Sequence, residues 1–136
     1  MDLRRFRKKP LLGILRGIKS EELDPLFEVI LSSGLEAVEI TMNTPCASDL
    51  IAQAVKRYGK RIMIGAGTVL SLQDLREALR VGATFIVSPV LHEPIISSCV
   101  KNGIPVFPGA LTPQEVHNAW EAGATMVKVF PAGCLG

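Results

Sequence analysis

The stretch Ala122-Gly123-Ala124-Thr125-Met126-Val127-Lys128-Val129-Phe130-Pro131 passes from the end of a predicted helix, through a glycine stop, into a short apolar strand. Glycine readily takes the left-handed conformation that ends a helix, and the apolar run behind it has strand length. The same succession recurs upstream at Ser33-Gly34-Leu35, Val81-Gly82-Ala83 and Asn102-Gly103-Ile104, with Gly82, Gly103 and Gly123 at intervals of roughly 20 residues and Gly34 a little more than two such intervals before Gly82. Helix, glycine and buried strand at that spacing make a parallel α/β fold. Strands are predicted at Leu11–Leu15, Ala37–Thr41, Arg61–Gly65, Phe85–Ser88, Pro105–Phe107 and Thr125–Phe130. Helices are predicted between them, at Ser20–Ser33, Pro45–Tyr58, Ser71–Val81, Glu93–Asn102 and Pro113–Ala122, with Ser20, Ser71 and Thr112 as N-terminal caps and Gly59 as a further stop. Charges on one parity only are what barrel strands show when alternate residues point into a layered interior. The predicted fold class is α/β, a TIM (β/α)₈ barrel of which about six βα units are present. Residues 1–136 are expected to form a single barrel domain, incomplete at its C-terminus.

Composition narrows the function classes. Of 136 residues, 48% are hydrophobic and 21% charged, a globular balance rather than a disordered one. The net charge of +2 implies no polyanionic partner. Its basic excess sits in Arg4, Arg5, Arg7, Lys8 and Lys9, which reads as a solvated N-terminal arm. No aromatic interleaving supports nucleic-acid binding, and no apolar run has the length to span a membrane. Cys46, Cys99 and Cys134 are widely spaced, with no CxxC pair. They suit a reducing compartment, the cytoplasm, as small core hydrophobes. His92 and His117 lack a second histidine at ligand spacing, so no metal site is expected.

Three predicted strands carry an ionisable residue where an apolar one belongs. Arg16 closes the first, Glu39 lies inside Ala37-Val38-Glu39-Ile40-Thr41, and Lys128 lies inside the sixth. Val38 and Ile40 share one face, leaving Ala37, Glu39 and Thr41 on the inward one. Met126, Lys128 and Phe130 likewise share a face. Convergence at one rim would let Lys128 attack a ketone, Glu39 shuttle protons and Arg16 hold a carboxylate. A desolvated lysine commonly relieves its burial by a depressed pKa. The competing readings are a snorkelling lysine and a structural Glu39–Lys128 ion pair. Gly65-Ala66-Gly67-Thr68 reads as a turn after the third strand, where backbone approaches a ligand and Thr68 donates to it. Leu70 stands where a dinucleotide fingerprint needs its third glycine. Ser88-Pro89 and Phe107-Pro108-Gly109 read as rim turns ending the fourth and fifth strands.

Gly13-Ile14-Leu15-Arg16-Gly17, Val38-Glu39-Ile40-Thr41, Gly65-Ala66-Gly67-Thr68-Val69, Val87-Ser88-Pro89 and Lys128-Val129-Phe130-Pro131-Ala132, in this order, resemble the KDPG/KHG aldolase family (2-keto-3-deoxy-6-phosphogluconate and 4-hydroxy-2-oxoglutarate aldolases). The likeness extends from Pro10 to Gly136. It implies a (β/α)₈-barrel class I aldolase, usually a homotrimer, that needs no cofactor or metal. By the resemblance Lys128 is the Schiff-base lysine, Glu39 the acid/base group, Arg16 the contact to the pyruvate carboxylate, and Thr68 and Pro89 line the substrate site. The implied reaction cleaves a 2-keto-4-hydroxy acid to pyruvate and an aldehyde: glyceraldehyde 3-phosphate from a phosphorylated sugar acid, or glyoxylate from 4-hydroxy-2-oxoglutarate. Many KDPG members carry an arginine where this chain has Asn43, which looks more like the phosphogalactonate branch.

Family members also continue into two more strands and a glycine-rich phosphate turn that this sequence lacks. Six strands do not close a barrel, so such a chain is expected to unfold, aggregate or complete itself with another chain. The alternative function is therefore a catalytically disabled barrel fragment acting only as an assembly or interaction module. A different Schiff-base or phosphate-binding barrel is a third reading.

Overall fold

The computed structural model describes residues 1–134. Strands β1 (Gly13–Leu15), β2 (Ala37–Thr41), β3 (Met63–Gly67), β4 (Ile86–Val87) and β5 (Val106–Phe107) form one parallel sheet in chain order. Helices α2 (Leu23–Ser32), α3 (Ala47–Tyr58), α4 (Leu72–Arg80), α5 (Glu93–Lys101) and α6 (Pro113–Glu121) alternate with them. Side-chain parity divides the core as expected. Val38 and Ile40 join Phe27, Ile51, Ile64 and Ile95 in a buried layer between sheet and helices. Ala37 joins Met63, Phe85, Val87 and Phe107 in a second, interior cluster. Reciprocal capping boxes start two helices, Ser71 with Asp74 on α4 and Thr112 with Glu115 on α6. Gly34, Gly82, Gly103 and Gly123 have φ between 66° and 96°, the left-handed stop that ends four of the helices. Gly59 differs, with φ −59°.

Several predicted boundaries are corrected. Ser20 is not a cap: Ser20–Glu22 is a 3₁₀ turn whose Glu22 carboxylate accepts the Lys19 N–H at 2.8 Å. Strand β3 begins and ends two residues later than predicted, so Gly65 and Gly67 are strand residues rather than a turn. The fifth strand ends at Phe107 as predicted, but Pro108-Gly109 does not complete a rim turn. Gly109–Ala110 forms β6, which pairs in parallel with β7 (Lys128–Val129). The ladder runs past Pro108, with Thr125 N–H donating to the Val106 carbonyl (3.0 Å), Lys128 N–H to Pro108 (2.9 Å) and Phe130 N–H to Ala110 (3.0 Å). Proline cannot donate but still accepts, so it bends this strand without breaking its contact to the next.

The basic arm is a helix, α1 (Leu3–Lys8), capped by the Asp2 carboxylate, which accepts the Arg4 and Arg5 N–H groups. Phe6 is its buried residue and packs into the interior cluster. Arg5 pairs with Glu36 at 2.9 Å and donates to the Arg61 carbonyl, and the Met1 amino group donates to the Thr84 carbonyl. Those partners lie just before β2, β3 and β4, so α1 covers the N-terminal end of the sheet. A single phenylalanine among cations gives no amphipathic signal, which is why the sequence reads as solvated there. Of the cysteines only Cys99 is a core residue, its thiol pushed up to about 11 by burial; Cys46 and Cys134 are exposed.

Candidate active site

The inward parity of β2 and β7 places Glu39 and Lys128 on one interior cavity of about 230 Å³. Phe6 and Phe107 close one end of it, and Ile14, Val87 and Met126 complete an apolar wall. Glu39 is 1% exposed, and its Oε2 has no hydrogen-bond partner. Burial raises its carboxyl above the usual carboxylate range, against the opposing pull of first the Lys128 ammonium and then the Arg16 guanidinium. A buried carboxylate oxygen left without a donor is costly, and such groups mark places where chemistry needs them free.

Lys128 is half-buried, with Nζ 5.1 Å from the centroid of the Phe130 ring, a cation–π contact. Among the described residues the salt bridges join Arg5 to Glu36, Arg57 to Asp24 and Arg80 to Glu77. The contact ion pair of Glu39 with Lys128 is therefore not formed. The two groups share a cavity and an electrostatic field without quenching each other.

Arg16 leaves the end of β1 exposed to solvent, and its Nη2 donates to Thr68 Oγ1 at 3.4 Å. The turn that carries it is pinned by Thr44, a residue that the sequence reading missed. Gly17, at φ +68°, donates its N–H to Thr44 Oγ1 at 3.0 Å, and Thr44 shares a hydrogen bond of 3.0 Å with Thr41. Thr44 is 4% exposed. A lone buried threonine in a loop has no periodicity to announce it; only its hydrogen bonds identify it. Thr68 follows β3 with φ +54°, a conformation that a β-branched residue takes only when its surroundings impose it.

Pro89 is placed differently from the other four predicted residues. It lies in a neighbouring groove of about 430 Å³ with Gly109, Glu115 and Phe130. Phe130 is the bridge, since it also meets the Lys128 ammonium. A Cβ on Gly109 would fall inside the Pro89 carbonyl, so glycine is required where β6 passes this turn. The structure thus gathers Glu39 and Lys128 around the cavity, brings Arg16 against Thr68 nearby, and sets Pro89 one groove away.

Fold and site together define a parallel (β/α) barrel-type protein with a lysine and a free carboxylate in its interior. The family described as "KDPG and KHG aldolase" matches residues 3–136, and the chain belongs to that family. It is 39% identical over 129 residues to the 2-dehydro-3-deoxy-6-phosphogalactonate aldolase of Escherichia coli, covering 95% of this chain and 63% of the relative. A solved structure described as native KDPGal superposes with a TM-score of 0.90 at 39% identity, over 95% of this chain and 63% of that one. A KDPG aldolase from Legionella pneumophila, solved with pyruvate captured as a covalent carbinolamine, superposes with a TM-score of 0.86 at 27% identity over 93% of this chain and 61% of that one. The fold is therefore the TIM (β/α)₈ barrel, with about six βα units in this chain. The chain spans less than two thirds of the length of these relatives. No helix among the described residues is long and apolar enough to cross a membrane.

Proposed function

We propose that this chain carries the pyruvate half of a class I aldolase site, with Lys128 as nucleophile and Glu39 as the acid/base group. The observation that carries the reading is the partnerless Oε2 of Glu39 on the cavity that Lys128 lines. The Lys128 amine adds to the C2 ketone of a 2-keto-4-hydroxy acid, and loss of water from the carbinolamine leaves a protonated Schiff base. Glu39 takes the C4 hydroxyl proton. The C3–C4 bond breaks, its electron pair moves into the enamine, and the aldehyde departs. Reprotonation at C3 and hydrolysis release pyruvate. A carboxyl raised above its ordinary range by burial is a stronger base than an exposed glutamate and can also return the proton it takes. Arg16 beside Thr68 receives the substrate carboxylate, and Pro89 lines the groove for the departing half.

The relatives' names support a 2-keto-3-deoxy-6-phospho sugar acid as substrate, and the phosphogalactonate name at 39% identity supports that epimer, in keeping with exposed Asn43 after β2. Residues 1–136 act as one domain in a homotrimer without nucleic-acid or membrane partners, and the unpaired cysteines support a cytoplasmic setting.

The test is borohydride trapping of the chain with pyruvate, read by intact and peptide mass. The expected result is a reduced pyruvyl adduct confined to the peptide containing Lys128 and absent from Lys128→Met. No adduct, with a full-length relative trapping in parallel, would leave the non-catalytic assembly module as the reading. Adducts with other ketones but not pyruvate would point to a different Schiff-base barrel.

A further inference from the structure

We propose that Gly67 is the positioning residue for the Glu39 carboxylate, which stands in the space that a side chain at position 67 would occupy; the proposal rests on the aldolase reading of the site. Glu39 pairs in register with Gly65 on β3, and Thr41 with Gly67. The Glu39 side chain reaches two residues up the neighbouring strand. A Cβ built on Gly67 lies 2.6 Å from the Glu39 carboxyl carbon, 2.7 Å from Oε1 and 2.9 Å from Oε2. Non-bonded carbon atoms normally rest about 3.5–4.0 Å apart, so an alanine would displace the carboxylate by roughly 1 Å.

Backbone conformation does not explain this glycine. Gly67 is a regular β3 residue paired with β2, and it is absent from the positive-φ glycines. Nor does hydrogen bonding hold the carboxylate, since Oε2 has no partner. What orients it is shape: the vacant side-chain position on β3 admits it from one side, and the cavity lies on the other. A group fixed by packing alone keeps its lone pairs available for a substrate proton, which a carboxylate tied down by donors does not. Gly65 performs the parallel service for a structural neighbour, since its missing Cβ would fall within the Phe85 ring.

The experiment uses the whole chain in four forms: parent, Gly67→Ala, Glu39→Asp and Gly67→Ala/Glu39→Asp. Aspartate withdraws the carboxylate by one carbon–carbon bond, about 1.5 Å, which clears the added methyl. The first readout is exchange of pyruvate methyl protons with deuterium, which requires the Schiff base and a base that removes a C3 proton but no aldehyde or phosphate. Gly67→Ala is expected to lower the exchange kcat by about 100-fold with KM changed by less than about threefold. The double variant should recover at least about tenfold over Gly67→Ala, although Glu39→Asp alone is slower than the parent.

The second readout is free of catalysis. The Tm lost in Gly67→Ala should be largely regained on adding Glu39→Asp or Glu39→Ala, a non-additive cycle between touching residues. Parental exchange in Gly67→Ala, or strictly additive losses in both readouts, overturns the proposal. If the parent itself neither traps nor exchanges pyruvate, the aldolase reading fails. The Tm cycle then decides whether Gly67 positions Glu39.

Discussion

The ring of Phe6 stacks on that of Phe107, with centroids 6.4 Å apart and planes inclined by 25°. Phe107 in turn stacks on Phe85 at 5.7 Å. The helix that carries Phe6 thereby covers the end of the interior away from Arg16 and Thr68, and Phe6 and Phe107 line the cavity that Glu39 and Lys128 share.

Phe6→Ala is expected to destabilise the chain by about 3 kcal/mol, the usual loss for a buried phenylalanine. Urea unfolding measures it. A loss below about 1 kcal/mol would mean that α1 is peripheral to the fold, returning the basic segment to a solvated arm.

Glu39 gives stability a specific pH dependence. Its folded pKa lies above the ordinary glutamate value of 4.5 because burial disfavours the ionised form. Below about pH 4.5 both folded and unfolded chains hold the proton and the group contributes fully. As pH rises through the folded value, the unfolded chain has already released its proton and stability is lost. Glu39→Gln, a neutral side chain of the same shape, removes that loss. Its Tm is expected to exceed the parent's by a few degrees near neutral pH, with the gap closing towards about pH 4. A gap constant with pH would show that ionisation of Glu39 is not the cause. In the parent, the acid limb of kcat/KM should lie above the ordinary glutamate range for the same reason.

Thr44→Val keeps the shape of the side chain but removes the acceptor of the Gly17 N–H and the hydrogen bond to Thr41. A part-buried donor left without its acceptor should cost about 1–2 kcal/mol in stability. Because that turn presents Arg16, KM for pyruvate in the exchange reaction should rise several-fold while kcat moves less. An unchanged KM would separate the Gly17 turn from carboxylate binding.

Gly109→Ala places a methyl group against the Pro89 carbonyl, a backbone atom with no rotamer to yield. Strain of about 2–3 kcal/mol is expected, and the shift it forces on the Pro89 turn should appear as changed amide chemical shifts from Ser88 to Val90. Thermal unfolding indistinguishable from the parent would refute the tight crossing of β6 and the Pro89 turn.

The order of helices and strands was legible in the chain because it rests on local chemistry. Left-handed glycines at 34, 82, 103 and 123 stop helices whatever surrounds them, and Ser71 and Thr112 cap by bonding groups three residues away. The inward parity of Ala37, Glu39 and Thr41 is equally local, since a strand alternates by its own geometry. That is why Glu39 and Lys128 could be read as facing one interior before any contact was known. Boundaries were less secure. Pro108 looks like a terminator in one dimension, yet the neighbouring strand supplies N–H donors on both sides of it.

Other features depend on atoms brought together from distant positions. Gly67 is glycine because a carboxylate from β2 occupies its side-chain space, and neither residue's neighbours in sequence reveal that. Phe6 is buried because β4 and β5 offer Val87 and Phe107 beneath it. Thr44 matters because Gly17 needs an acceptor. Periodicity and capping act over one to four residues and are written in the chain, whereas steric exclusion and donor pairing act between segments 28, 27 or 101 residues apart and exist only once the barrel strands lie side by side.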